Sequence, residues 1–82
     1  MANVKGLVEE IAKALVDSPD EVAVREIEGT HGPGIVTVEL KVAAADVGKV
    51  IGKQGRTARS MRTLLGAAGM KANRQFNLEI LE

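Results

Sequence analysis

Two glycines stand three apart in Gly52-Lys53-Gln54-Gly55, and this segment is where the chain could do chemistry. Glycine lets a backbone turn sharply and removes the side chains that would hold another chain at a distance. An apolar-periodic stretch begins directly after the turn, at Arg56. A helix starting there aims its first N–H groups and the positive end of its dipole at the loop, which makes an anion site. Lys53 inside the turn and Arg56 beside it add mobile positive charge. The chemistry on offer is the gripping of a phosphate, not the making or breaking of a bond.

Other residue types argue against catalysis. His31 is the single histidine and cysteine is absent, so neither a metal site nor a nucleophile–base pair has the partners it needs. Glu9 and Glu10 are adjacent, and on a helix they point in different directions, which is unsuited to a carboxylate pair. No cofactor or metal is expected, and an enzyme is the least favoured reading.

Elements must position the turn. Residues 44–51 read as a short helix leading into it, with Val47, Val50 and Ile51 partly in the core and Ile51 able to line an apolar groove where bases lie. Residues 56–68 read as a longer helix, weakened towards its end by Gly66 and Gly69. At about 100° per residue, Ala58, Met61, Leu64, Leu65 and Ala68 share one arc. Arg56 and Arg59 fall on the opposite arc, with Arg62 nearer its edge. Upstream, Val4, Leu7, Val8, Ile11 and Leu15 give residues 3–16 a helical face, with Asn3 as N-cap and Pro19 beyond its end.

Residues 21–28 read as a strand whose phase blurs at Ile27, leaving room for a bulge. Residues 28–34 form a glycine-rich hairpin loop. Residues 35–42 alternate cleanly, as in an antiparallel sheet covered on one side. Residues 74–81 form the last strand, with Phe76, Leu78 and Ile80 on one face. The order α-β-β-α-α-β predicts one α+β domain over residues 1–82, a three-stranded sheet with helices packed on one face.

Composition is globular, with 45% hydrophobic residues, mean hydropathy +0.04 and a single aromatic residue, Phe76. No apolar run approaches a membrane span and the first residues lack a secretory pattern, so a cytoplasmic location is expected. The formal net charge is zero, which taken alone argues against a nucleic-acid binder. Its distribution argues the other way. Residues 1–46 hold nine acids against four bases, whereas residues 47–75 hold seven bases and no acid. Local potential steers a polyanion more than net charge does.

Val50-Ile51-Gly52-Lys53-Gln54-Gly55 resembles the V-I-G-x-x-G signature of KH domains, whose loop clamps a backbone of about four nucleotides. The element order resembles the type II arrangement. Leu7–Val24 and Val42–Leu65 are similar to the small stand-alone bacterial KH proteins of the KhpA family, and the likeness covers nearly all of the chain. The resemblance implies binding of short single-stranded RNA by Val50, Ile51, Gly52, Lys53, Gln54, Gly55, Arg56 and Arg59. It further implies an RNA chaperone or post-transcriptional regulator in the cytoplasm, a homodimer, and a heteromer with a larger KH-domain RNA-binding protein. In the family, that pairing is linked to cell shape and cell-wall biogenesis. The glycine-rich 29–34 loop departs from the family pattern. Two other readings stay open: a protein-interaction module that scaffolds an RNA-binding partner, and a helix-turn-helix on duplex DNA.

Overall fold

Asn3 caps the first helix as its residue type predicts: its side-chain oxygen accepts the Gly6 N–H at 2.9 Å. The computed structural model describes residues 3–29 and 32–81, so Thr30 and His31 lie outside the described residues. Helix α1 spans Val4–Leu15. Its buried positions are Val4, Val8 and Ala12, one turn apart, while Leu7 and Leu15 stay exposed. A 3-10 turn at Pro19–Glu21 leads to β1, Ala23–Glu28.

Strand β2, Ile35–Lys41, is the centre of the sheet. It pairs antiparallel with β1, from Ala23 opposite Lys41 to Glu28 opposite Val36. The register is unbroken at Ile27, so the blurred phase there is no bulge. Ile27 lies opposite Thr37, on the face away from the core set of Val24, Val38 and Leu40. Strand β3, Gln75–Leu81, pairs parallel with β2. The sheet is therefore mixed rather than antiparallel. The two helices between β2 and β3 carry the chain back to the starting end, and a parallel partner requires such a crossover.

That crossover is a 3-10 turn at Ala44–Asp46, helix α2 (Val47–Ile51) and helix α3 (Arg56–Ala72). Helix α3 runs one turn past the expected end. Gly69 does not stop it, because a Cβ there would meet the Arg74 carbonyl oxygen. The glycine is a close-approach point. The helix closes instead at Asn73, in left-handed backbone (φ 56°), with the Arg74 N–H donating to the Gly69 carbonyl at 2.8 Å. Helices and sheet share a core in which Val38, Leu40, Val50 and Leu65 are essentially inaccessible.

Candidate nucleic-acid interface

Helix α2 stops at a glycine for a backbone reason. Gly52 donates its N–H to the Gly48 carbonyl at 2.9 Å, then adopts φ 79°, ψ 171°, a region essentially reserved for glycine. A Cβ on Gly52 would also collide with the Thr57 side chain and lie 2.9 Å from the Thr57 nitrogen. Lys53–Gly55 make one 3-10 turn, closed by the Gly55 N–H on the Gly52 carbonyl at 3.1 Å. Gln54 and Gly55 are both left-handed, at φ 59° and 73°. For Gln54 this stores about 1–2 kcal/mol of strain.

The turn leaves donors over. The Arg56 N–H is taken by the Lys53 carbonyl and the Gly55 N–H by that of Gly52, whereas the N–H groups of Lys53 and Gln54 stand at the head of the turn, ahead of any carbonyl the turn itself supplies. Both residues are exposed. The space in front of Gly55 is open, with nothing within 4 Å of where its Cβ would sit. Gln54 Oε1 accepts from the Arg56 guanidinium at 3.3 Å. A pair of amides heading the turn, an exposed ammonium and an open glycine face suit an anionic backbone laid across it.

Beside the turn lies a groove of about 340 Å³ between the α2–α3 junction and the edge strand β3. Ile51, Ala58, Leu78 and Ile80 make it apolar, Gly55 opens one end, and Arg62 and Glu79 border it. Ile51 is 38% exposed, so an aliphatic surface faces solvent where the resemblance implied one. Val50 is a correction: it is fully buried. It supports the turn from the core and offers no surface for contact. Arg56 and Arg59 are exposed and lie outside the groove lining.

Electrostatics narrow the basic segment. Lys49 lies 3.1 Å from Asp17 and 3.7 Å from Asp46, and the Asp17 contact holds its ammonium above the ordinary lysine range, with Asp46 adding to this. Arg74 pairs with Glu28 at 3.2 Å. Lys53, Arg56, Arg59, Arg62 and Lys71 form no ion pair among the described residues. All five lie on the turn or α3.

Two features escape sequence reasoning. Leu78 and Ile80 enter the groove only because β3 lies at the sheet edge beneath α3. Asp46, 1% exposed, ties the end of α1 to the start of α2 by accepting the Ser18 N–H at 3.0 Å. Its position after three alanines gives no sign of burial.

Comparison with known proteins bears on this geometry. The family model described as KhpA/KhpB, KH domain, matches residues 5–80. The chain is 52% identical over 82 residues to the RNA-binding protein KhpA of Aquifex aeolicus, covering all of both chains. It is 52% identical over 77 residues to the protein of the same name from Clostridium acetobutylicum, covering 94% of this chain and 99% of that one. Among solved structures, Era in complex with MgGDPNP and nucleotides 1506-1542 of 16S ribosomal RNA superposes with a TM-score of 0.60 at 22% identity. The match covers 94% of this chain and 28% of Era, and it shows a shared fold.

Proposed function

The chain belongs to the KhpA/KhpB KH-domain family, and on that premise we propose that it binds short single-stranded RNA across the Gly52–Gly55 turn. The observation that carries this reading is the pair of N–H groups at Lys53 and Gln54 that head the exposed turn, beside an open glycine face and an apolar groove. Phosphates lie on those amides and on Lys53. Bases turn into the groove over Ile51, Ala58, Leu78 and Ile80. Arg56 and Arg59 steer the strand from the exposed side of α3. The chain is a binding module and not an enzyme.

The groove holds no aromatic residue. Stacking gains of about 1–3 kcal/mol per base are therefore missing, and one domain binds weakly, around micromolar or poorer. Linking two sites raises the effective affinity. We accordingly read the chain as a homodimer, and as half of a heteromer with a larger KH-domain RNA-binding protein, acting as an RNA chaperone or post-transcriptional regulator in the cytoplasm. Replacing both Lys53 and Gln54 by Asp tests the site. Anisotropy titration of a labelled single-stranded RNA should show binding lost while the thermal transition is kept, because both side chains are exposed. Unchanged affinity in that variant removes the turn from the interface.

A second reading rests on a different observation. Leu64 and Met70 on α3 are 48% and 85% exposed, large apolar side chains of a kind that protein contacts cover. In this reading the fold scaffolds a partner that contacts RNA itself. Co-purification that survives nuclease, with loop variants unaffected in RNA binding, would favour it.

A further inference from the structure

The basic side chains of α3 do not stand equally towards the groove. Gly55, Ala58 and Arg62 follow one another at i, i+3 and i+7, one stripe of the helix, and all three line the cavity. Arg59 is turned about 60° and Arg56 about 120° from Arg62 around the helix axis, and neither lines it. Arg62 forms no ion pair or side-chain hydrogen bond among the described residues. Its five N–H donors are therefore uncommitted at the border of an aliphatic floor. Across the groove, on the β3 side, stand Leu78 and Ile80, whereas Glu79, in register with Glu39, directs its side chain to the opposite face of the sheet. That aliphatic wall offers phosphate no donor, so the strand's backbone keeps to the turn and α3 while bases reach towards β3.

We propose that Arg62 is the residue through which this groove reads a base, and that the base is guanine; the proposal rests on the RNA-binding reading given above. A base lying flat on Ile51, Ala58, Leu78 and Ile80 leaves its edge to the groove border. A planar guanidinium presents a rigid fork of parallel donors, which matches two adjacent acceptors in one plane. Guanine offers such a pair in O6 and N7, and Arg is its commonest reader. Adenine puts an amino group where guanine has O6, so one arm of the fork would face a donor. Pyrimidines have no N7; cytosine's paired acceptors, N3 and O2, lie on its Watson–Crick edge, and a preference for the cytosine hexamer in the test below overturns the choice of guanine. Arg56 and Arg59, off the groove stripe, serve the phosphates and carry no base preference.

The test uses the full chain and uridine hexamers containing one guanine, adenine or cytosine, titrated by fluorescence anisotropy at several salt concentrations. Arg62→Lys keeps the charge and removes the fork. The wild type should favour the guanine hexamer by about 5- to 150-fold, the range of one good bidentate contact. Arg62→Lys should lose that preference, with an unchanged salt dependence and an unchanged melting temperature. Arg59→Lys should keep the preference. Three further results overturn the proposal while leaving RNA binding intact: equal affinity of the wild type for all hexamers, a preference that survives Arg62→Lys, or a uniform loss in Arg62→Ala with the salt slope falling by about 0.7, the mark of a phosphate contact. A wild type that binds none of the hexamers overturns the RNA-binding reading itself.

Discussion

Alanine at Gly52 and alanine at Gly55 should fail for different reasons, and the difference is measurable. Gly52 occupies a glycine-only backbone region, φ 79° and ψ 171°, where any other residue costs about 1–3 kcal/mol. Its Cβ would additionally drive into Thr57, an overpacking of about 1–3 kcal/mol. The sum is about 2–6 kcal/mol. Gly55 is left-handed at φ 73°, ψ 14°, with open space around it. Alanine there costs about 1–2 kcal/mol, partly offset by about 0.4–1 kcal/mol from a less free unfolded chain. A domain of this size has about 4–12 kcal/mol in total, and each kcal/mol moves its melting temperature by about 4–8 °C. Gly52→Ala should therefore lose at least about 8 °C or fail to fold. Gly55→Ala should lose only a few degrees, yet weaken RNA binding more than about tenfold, since its methyl group occupies the space the phosphate chain needs. Circular-dichroism melts and RNA titration on the same samples decide it. Equal melting losses in the two variants, or a folded Gly55→Ala with native RNA affinity, would refute the reasoning.

Helix α3 offers a second paired contrast. Gly66 has open space around its missing side chain, so Gly66→Ala should stabilise the protein by about 0.5–1 kcal/mol through helix propensity. Gly69→Ala should instead cost about 1–3 kcal/mol, because the new methyl group meets the Arg74 carbonyl; urea titration of both variants checks the opposite signs. Asp46→Ala leaves the Ser18 N–H without its carboxylate and should cost about 1.5–3 kcal/mol, read as a lower urea midpoint. The Lys49 ammonium is held above its ordinary value of 10.5 chiefly by Asp17. Its contribution is fully present below the unfolded value and is lost as pH rises through the higher folded one. Stability measured between about pH 9 and 12 should therefore fall more steeply in the wild type than in Lys49→Met, and parallel curves would contradict the ion pair.

Local features of this fold were legible in the sequence and long-range ones were not. Asn3 caps α1, Pro19 lies beyond the end of α1, and the alternation from Val36 to Val42 sorts β2 into two faces; each needs only neighbours in the chain. The turn was legible because two glycines at fixed spacing answer to backbone angles that other residues resist. The parallel placement of β3 was not legible, because alternation reports which face is buried and not which way a partner runs. Helix α3 outran its expected end because Gly69 answers to a contact with Arg74, a non-helical residue beyond it. Asp46 reads as an ordinary helix-start acid until Ser18, 28 residues earlier, is placed against it. Val50 shares the signature with Ile51, yet one is fully buried and the other exposed, a distinction that only the packing of α2 makes.

Charge shows why net neutrality is compatible with a polyanion partner. Seven bases lie between residues 47 and 75, but Lys49 and Arg74 are held by carboxylates of the N-terminal half. These pairs join α2 to the end of α1, and β3 to β1, so they belong to the fold. The five remaining cations occupy one connected stretch, the turn and α3, where the amides that head the turn also lie. Screening at physiological salt acts over about 8 Å, so acids farther than that from the turn do little to cancel the field there. A strand approaching from solvent meets a local positive surface on a neutral molecule. Its affinity should fall with salt according to the few phosphates it touches, not according to the protein's overall charge.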